Sequence, residues 1–156
     1  MSRKPFFPLY VDLSDKDILF VGGGSIAARR IGVLQPFVET ITVVAPEADG
    51  SILELTESGA VNWIMREFEA EDLEGRDVVF AATDDKELNA RIATACREKS
   101  ILVNVSSDKE LCDFYFPGIV MQGETVVGVS ASGEDHKKAR RVRERIQEIL
   151  TEEGIL

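Results

Sequence analysis

Cysteine is scarce in this sequence: only Cys96 and Cys112 occur, in different segments and without a CxxC spacing. That excludes a disulfide framework and a zinc-ribbon arrangement, and the expected setting is a reducing cytoplasm. Histidine is scarcer still, with His136 alone, and no fixed metal site is expected. Long apolar runs are missing. Stretches such as Val78–Ala82 and Val126–Val129 are far too short to cross a bilayer. Met1-Ser2-Arg3-Lys4 leads into Pro5-Phe6-Phe7-Pro8 with no extended apolar segment, so a soluble, unexported chain is expected. Basic residues are outnumbered, 18 Lys and Arg against 28 Asp and Glu, for a formal net charge of -10. Backbone phosphates are repelled by such a surface, so nucleic acid is not an expected partner, and an anionic ligand needs a local basic patch.

What is present is ordinary for a globular protein. Of the 156 residues, 44% are hydrophobic and 29% charged, enough for one main domain with a small appendage. Asp17-Ile18-Leu19-Phe20-Val21 reads as a strand, three glycines follow, and Ser25 to Ile31 reads as a helix. Thr40 to Ala45, rich in β-branched residues and closed by Pro46, completes a β-α-β unit of about thirty residues. Such a unit predicts parallel strands joined by a right-handed crossover.

The alternation continues. Ser51 to Ser58 reads as helix, Val61 to Met65 as strand, and Asp77 to Ala82 as a buried strand ending at Thr83-Asp84-Asp85. Lys86 to Lys99 carries Leu88, Ile92, Ala93 and Cys96 at helical spacing, and Ile101 to Val105 is the next strand. After Val105 the pattern changes, because Ile119–Gln122 and Thr125–Ser130 flank the hairpin-type pair Gly123-Glu124. A helix from about Asp135 to Glu152 closes the chain, with Ala139, Val142, Ile146 and Ile149 on one side and Lys and Arg crowding the rest. The expected fold is α/β: a Rossmann-like doubly wound parallel sheet over residues 1–115, with a small antiparallel β-hairpin plus helix appendage over 116–156.

Gly22-Gly23-Gly24-Ser25-Ile26-Ala27 fits the G-x-G-x-x-G/A dinucleotide pattern. Gly22 permits the tight turn, Gly24 lets the backbone approach a pyrophosphate, and Ala27 lets helix and strand pack closely. Helix N–H groups and the helix dipole then favour the phosphates. No acidic residue ends the second strand; Glu47, just after Pro46, is the first carboxylate beyond it, either a ribose contact or a solvated loop residue. With no Arg or Lys there for a 2'-phosphate, NAD is favoured over NADP. Thr83, Asp84, Asp85 and Asn104 fall on the same rim as the glycine loop, and either Asp84 or Asp85 suits the N-cap of the helix that follows.

Taken in order, Phe7-Pro8-Leu9-Tyr10, Val21 to Arg30, Val43 to Pro46, Ala81 to Asp85, Asn89, Asn104-Val105 and Cys112-Asp113-Phe114 to Pro117 resemble the precorrin-2 dehydrogenase / siroheme synthase N-terminal family. The resemblance runs over nearly the whole chain. It implies NAD-dependent oxidation of precorrin-2 to sirohydrochlorin, in some members with insertion of Fe2+ or Co2+ as a substrate ion. It also implies a homodimer built by the region after the sheet. Carried over position by position, the NAD contacts are Gly22, Gly23, Gly24, Ser25, Ile26, Pro46, Glu47, Thr83 and Asp84, with the nicotinamide near Asn104 and Ser107.

The departures fall in the catalytic half. Where the family has an aspartate, three residues after Asn104, this chain has Ser107, with Asp108 next. Asp108, Ser107 and His136 are therefore the candidate catalytic residues, Asp108 and His136 as proton acceptors. The run Ser130 to His136 replaces small neutral residues of the family with Glu134, Asp135 and His136, although a lone histidine in a first helical turn is more often an ordinary surface residue. The family usually continues into a helical C-terminal region that this sequence nearly lacks. The basic side of the last helix either receives substrate carboxylates or is a solvated face. Two other classes fit the residues: a non-catalytic NAD- or tetrapyrrole-binding module, and an NAD-sensing regulatory domain, which leaves the Cys112–Pro117 match without a reason.

Overall fold

Short runs of apolar residues form the strands, and in the computed structural model they are Ile18–Val21 (β1), Ile41–Val44 (β2), Val61–Ile64 (β3), Val78–Ala81 (β4) and Leu102–Val105 (β5). The structure describes residues 6–132 and 135–152; Met1 to Pro5, Gly133 and Glu134, which figured in the sequence reading, lie outside them. All five strands are parallel, in the order β3-β2-β1-β4-β5. β1, β2 and β4 are buried along their whole length, which is why β1 and β4 read as continuous apolar runs and β2 as one interrupted only by Thr42.

From β1 the chain moves outward to β2 and β3, then returns to β4 and moves the other way to β5. Right-handed crossovers therefore put the helices Ser25–Leu34 (α1) and Gly50–Glu57 (α2) on one face and Lys86–Glu98 (α3) on the other. The α3 face is a single cluster in which Leu19, Val21, Val79, Ala81, Val103 and Val105 meet Ile92, Ala93 and Cys96. Burial pushes the Cys96 thiol up to about 11, so this cysteine is an inert core residue. The intervening strand residues point the opposite way. Phe20 stacks on its register partner Phe80, 4.4 Å between centroids, and Phe114 meets Phe80 edge-on at 5.6 Å.

Between β3 and β4 a 3-10 turn, Ala70–Leu73, replaces a helix. Asp72, only 8% exposed, fixes it: Arg66 donates to both carboxylate oxygens at 2.8 and 2.6 Å, and the Glu69 N–H donates to Oδ2 at 2.9 Å. The Arg66 hydrogen bond, with the Glu69 N–H, holds the Asp72 carboxyl below its ordinary range against the opposing pull of burial. A carboxyl depressed on folding stabilises above its unfolded pKa of about 3.9, and that stabilisation is lost as pH falls through the folded value. Asp72→Asn is accordingly expected to lower the urea midpoint at neutral pH, with the gap to wild type closing below about pH 4. A gap independent of pH would contradict that account.

The free edge of β5 is covered by the chain that follows it. Val103 donates its N–H to Asp113 Oδ2 at 2.9 Å, its carbonyl accepts from the Asp113 N–H at 2.9 Å, and the Cys112 thiol sits 3.2 Å from the Val105 nitrogen. The strand edge is thereby closed by the backbone and side chain of Asp113 and by the Cys112 thiol.

Contacts divide the chain into two units. One is Val11–Phe114, and the other takes the flanking segments up to Tyr10 and from Tyr115. The second unit contains the antiparallel hairpin Gly118–Gln122 (β6) and Thr125–Val129 (β7), turning at Gly123 with φ +57, and the helix His136–Glu152 (α4) packed on both strands. The Tyr10 hydroxyl lies 3.3 Å from the Val126 carbonyl. No helix among the described residues is long and apolar enough to cross a membrane.

Candidate functional site

β1 ends at Val21, and the next three residues have three different jobs. Gly22 sits at φ +105 and donates its N–H to the Val44 carbonyl at 3.0 Å; a Cβ on it would lie 2.5 Å from the Ala82 carbonyl oxygen. A Cβ on Gly23 would lie 2.5 Å from the Glu47 carbonyl, and Gly23's own carbonyl accepts from the Asp49 N–H at 2.8 Å. Gly23 thus locks the glycine turn to the loop after β2. Gly24 has nothing within 4 Å of where a Cβ would stand. It is the N-cap of α1, with no side-chain cap and no acidic residue in the first turn. The first N–H groups of α1 therefore remain as orphan donors at an open surface, with the positive end of the helix behind them. Ala27, fully buried, allows the close approach of α1 to the sheet.

A cleft of ≈ 240 Å³ opens there. Its walls are Gly24, Ser25 and Ile26 at the start of α1, Ala82 to Asp84 with Lys86 after β4, and Ser106 with Ser107 after β5. This is the crevice at the carboxyl ends of β1 and β4, where the strand order reverses, the usual ligand position in an open parallel sheet.

Asn89 holds two of these walls together. Fully buried on α3, it accepts from the Thr83 N–H at 3.2 Å, lies 2.7 Å from the Thr83 hydroxyl, and donates Nδ2 to the Thr83 carbonyl at 2.9 Å and to Ser107 Oγ at 3.2 Å. Of the two acidic residues, Asp85 is the N-cap of α3, accepting from the Glu87 and Leu88 N–H groups at 2.8 and 3.0 Å, while Asp84 lines the cleft.

Arg30, on α1, donates through Nη1 to Asn104 Oδ1 at 2.7 Å and to Ser106 Oγ at 2.9 Å. Burial, with the neighbouring charge of Arg29, draws its pKa below the ordinary guanidinium range. Asn104 gives its amide nitrogen to the Phe114 carbonyl at 2.8 Å and is 3% exposed, so its side chain lies inside the fold rather than among the cleft walls. Asp108 is exposed beside Ser107 and accepts from the Glu110 N–H at 2.9 Å, capping a short 3-10 turn at Lys109–Leu111. Pro46 and Glu47 are exposed on the loop that packs against Gly23.

In the other unit His136 is exposed at the start of α4, after Asp135, whose carboxylate accepts from the Lys138 N–H at 2.8 Å. The basic side of that helix is partly paired within itself, Arg140 with Glu144 at 2.7 Å and Arg145 with Glu148 at 2.9 Å. Among the described residues no group of three or more His, Cys, Asp or Glu could hold a metal ion.

Residues 9–118 match a family described as "Putative NAD(P)-binding". The chain belongs to this family. Within the NAD(P)-binding family's span lie the whole parallel sheet and every wall of the cleft. The chain is 40% identical over 142 residues to a siroheme synthase of Methylococcus capsulatus, covering 91% of this chain and 30% of that protein. It is 37% identical over 145 residues to siroheme synthase 2 of Yersinia pestis, covering 93% and 31%. The chain thus spans about a third of the length of these curated relatives. A solved structure titled SirC, precorrin-2 dehydrogenase, superposes with a TM-score of 0.81 at 26% identity, covering 92% of this chain and 70% of that one.

The residues fit the nicotinamide dinucleotide that the family's name carries. Gly24 is open on the cleft side, the start of α1 is uncapped, and no carboxylate occupies its first turn to repel a pyrophosphate. Residues that the sequence reading did not place in the site are Arg30, Lys86, Asn89 and Ser106. Asn89 was detectable: it shares the face of Ile92, Ala93 and Cys96, and an amide at a core position of an apolar stripe calls for a specific partner.

Proposed function

We propose that this chain is an NAD-dependent precorrin-2 dehydrogenase, oxidising precorrin-2 to sirohydrochlorin in siroheme formation. The observation that carries the reading is the uncapped glycine-loop start of α1 facing the cleft, within a chain similar over nine-tenths of its length to siroheme synthases and to a precorrin-2 dehydrogenase. When bound, NAD supplies the hydride acceptor. The chain's own part is to bind and orient. Gly23, Gly24, Ser25 and Ile26 hold the pyrophosphate through backbone N–H groups, Gly22, its own N–H committed to the Val44 carbonyl, supplies the turn, and Thr83 and Asp84 border the dinucleotide. Pro46 and Glu47 stand at the adenosine end; no Arg or Lys lies between Ala45 and Gly50 to take a 2'-phosphate, which favours NAD over NADP.

Ser107 marks the reacting end of the cleft. The carboxylates at hand there are Asp84, in the wall, and Asp108, next to Ser107, and they are the candidate proton acceptors. We further assign the hairpin and α4 to a homodimer contact and the enzyme to the cytoplasm. Insertion of Fe2+ or Co2+ as substrate ion is carried by the resemblance alone.

Anaerobic incubation of the reduced protein with precorrin-2 and NAD+ is expected to give NADH absorbance together with the sirohydrochlorin spectrum. Ser107, standing where the family resemblance implies an aspartate, favours one other reading, a binding module without turnover. Saturable binding of NAD+ and sirohydrochlorin with no NADH formed would select it.

A further inference from the structure

The end of β5 leads into two serines whose hydroxyls are both forced into the same role. Arginine has only donors, so Ser106 Oγ must accept from Arg30 Nη1 at 2.9 Å. The orientation of the Asn89 amide is fixed by the Thr83 N–H, which needs Oδ1; the opposite end, Nδ2, therefore faces Ser107, and Ser107 Oγ accepts at 3.2 Å. Each hydroxyl hydrogen must then go elsewhere, and neither serine donates to any described residue. Both serines line the cleft. Ser106 is in addition polarised by a guanidinium, which strengthens the outgoing O–H as a donor.

We propose that Ser106 and Ser107 form a paired hydroxyl-donor subsite for a carbonyl or carboxylate oxygen of a molecule bound in the cleft. Arg30 and Asn89 act through them as positioning residues, one from each face of the sheet. Lys86 reinforces the attraction for a carboxylate, and Asp84, in the same wall, opposes it. A carboxylate at position 107 would invert the site, presenting an acceptor where the serine presents a donor. The subsite rests on the dinucleotide-dependent reading above, and the oxygen comes from one of two sources, the nicotinamide carboxamide or a carboxylate of the tetrapyrrole.

Titrating the wild type and Ser106→Ala/Ser107→Ala with NADH and with ADP-ribose, which lacks the nicotinamide, separates the sources, with KM for precorrin-2 measured alongside. Loss of hydrogen bonds to such a group is expected to cost at least about tenfold in one of these quantities, at unchanged melting temperature. A carboxamide source weakens NADH and spares ADP-ribose. A carboxylate source spares both dinucleotides and raises KM without lowering kcat. Ser107→Thr, which keeps a hydroxyl, should restore part of the loss, and Ser107→Asp should not. A double variant indistinguishable from a wild type that does bind overturns the subsite alone. A wild type that binds neither dinucleotide nor precorrin-2 overturns the proposed function with it.

Discussion

Gly22→Ala is expected to be the most damaging single methyl that can be added to this fold, lowering unfolding stability by about 2–6 kcal/mol. The backbone there has φ +105, which no L side chain adopts without strain of about 1–3 kcal/mol. The new Cβ would also stand 2.5 Å from the Ala82 carbonyl oxygen, 2.7 Å from its carbon and 2.9 Å from the Thr83 nitrogen. All three are backbone atoms, so no rotamer relieves the overlap. Relief requires β1 and β4 to part, beginning with the 2.8 Å bond from the Ala82 N–H to the Val21 carbonyl, and repacking of that kind adds about 1–3 kcal/mol. Against a typical total of about 5–15 kcal/mol, much of the variant should be unfolded or shifted to low denaturant. A urea midpoint equal to wild type at unchanged slope would refute the assignment of this turn.

Gly24→Val should behave in the opposite way, keeping the fold and losing the ligand. Its backbone, φ -77 and ψ -176, is extended and accepts any residue, and nothing lies within 4 Å of the added Cβ. Gly24 gives no side-chain cap, and the poorer N-cap propensity of valine costs the helix only about 0.5–1 kcal/mol. The valine would, however, project over the N–H groups at the start of α1. Displacing one or two charge-assisted hydrogen bonds to a pyrophosphate corresponds to a roughly hundredfold weaker dinucleotide complex. Calorimetric titration beside a thermal melt checks both halves. Wild-type affinity would remove α1 from the binding account, and a large fall in melting temperature would make the loss merely structural.

The two glycines differ in ways the pattern G-x-G could not express. From sequence, Gly22 as the turn and Gly24 as the open approach were both legible, because strand, turn and helix each carried its own signal. Gly23 was not, since its contact is with the Glu47 carbonyl, some two dozen residues later, and only tertiary packing brings that loop close. The strands were readable because buried parallel strands are largely apolar, whereas their exact ends, one residue short of Ala82 and Met65, escape any propensity argument.

Asn104 illustrates the other limit. Its place at the end of β5 put it on the right rim, but strand alternation points its side chain to the α1 face with its register partner Phe80, where Arg30 and the Phe114 carbonyl use both ends of the amide. Ser107 lies past the strand, in the turn, and reaches the cleft that Asn104 does not.

Trp63 is the only tryptophan, and its Nε1 donates at 2.9 Å to the carbonyl of Ala45, the residue that packs against Gly23. It lies beside the loop proposed to hold the nucleotide and can report binding there. Adding NADH to the intact chain should quench Trp63 emission saturably, raise NADH emission by energy transfer, and be reversed by NAD+. In Gly24→Val, at an unchanged melting temperature, the transfer should be lost. Transfer as strong and as tight in that variant as in the wild type, or none in the wild type, would contradict a dinucleotide held at the glycine loop.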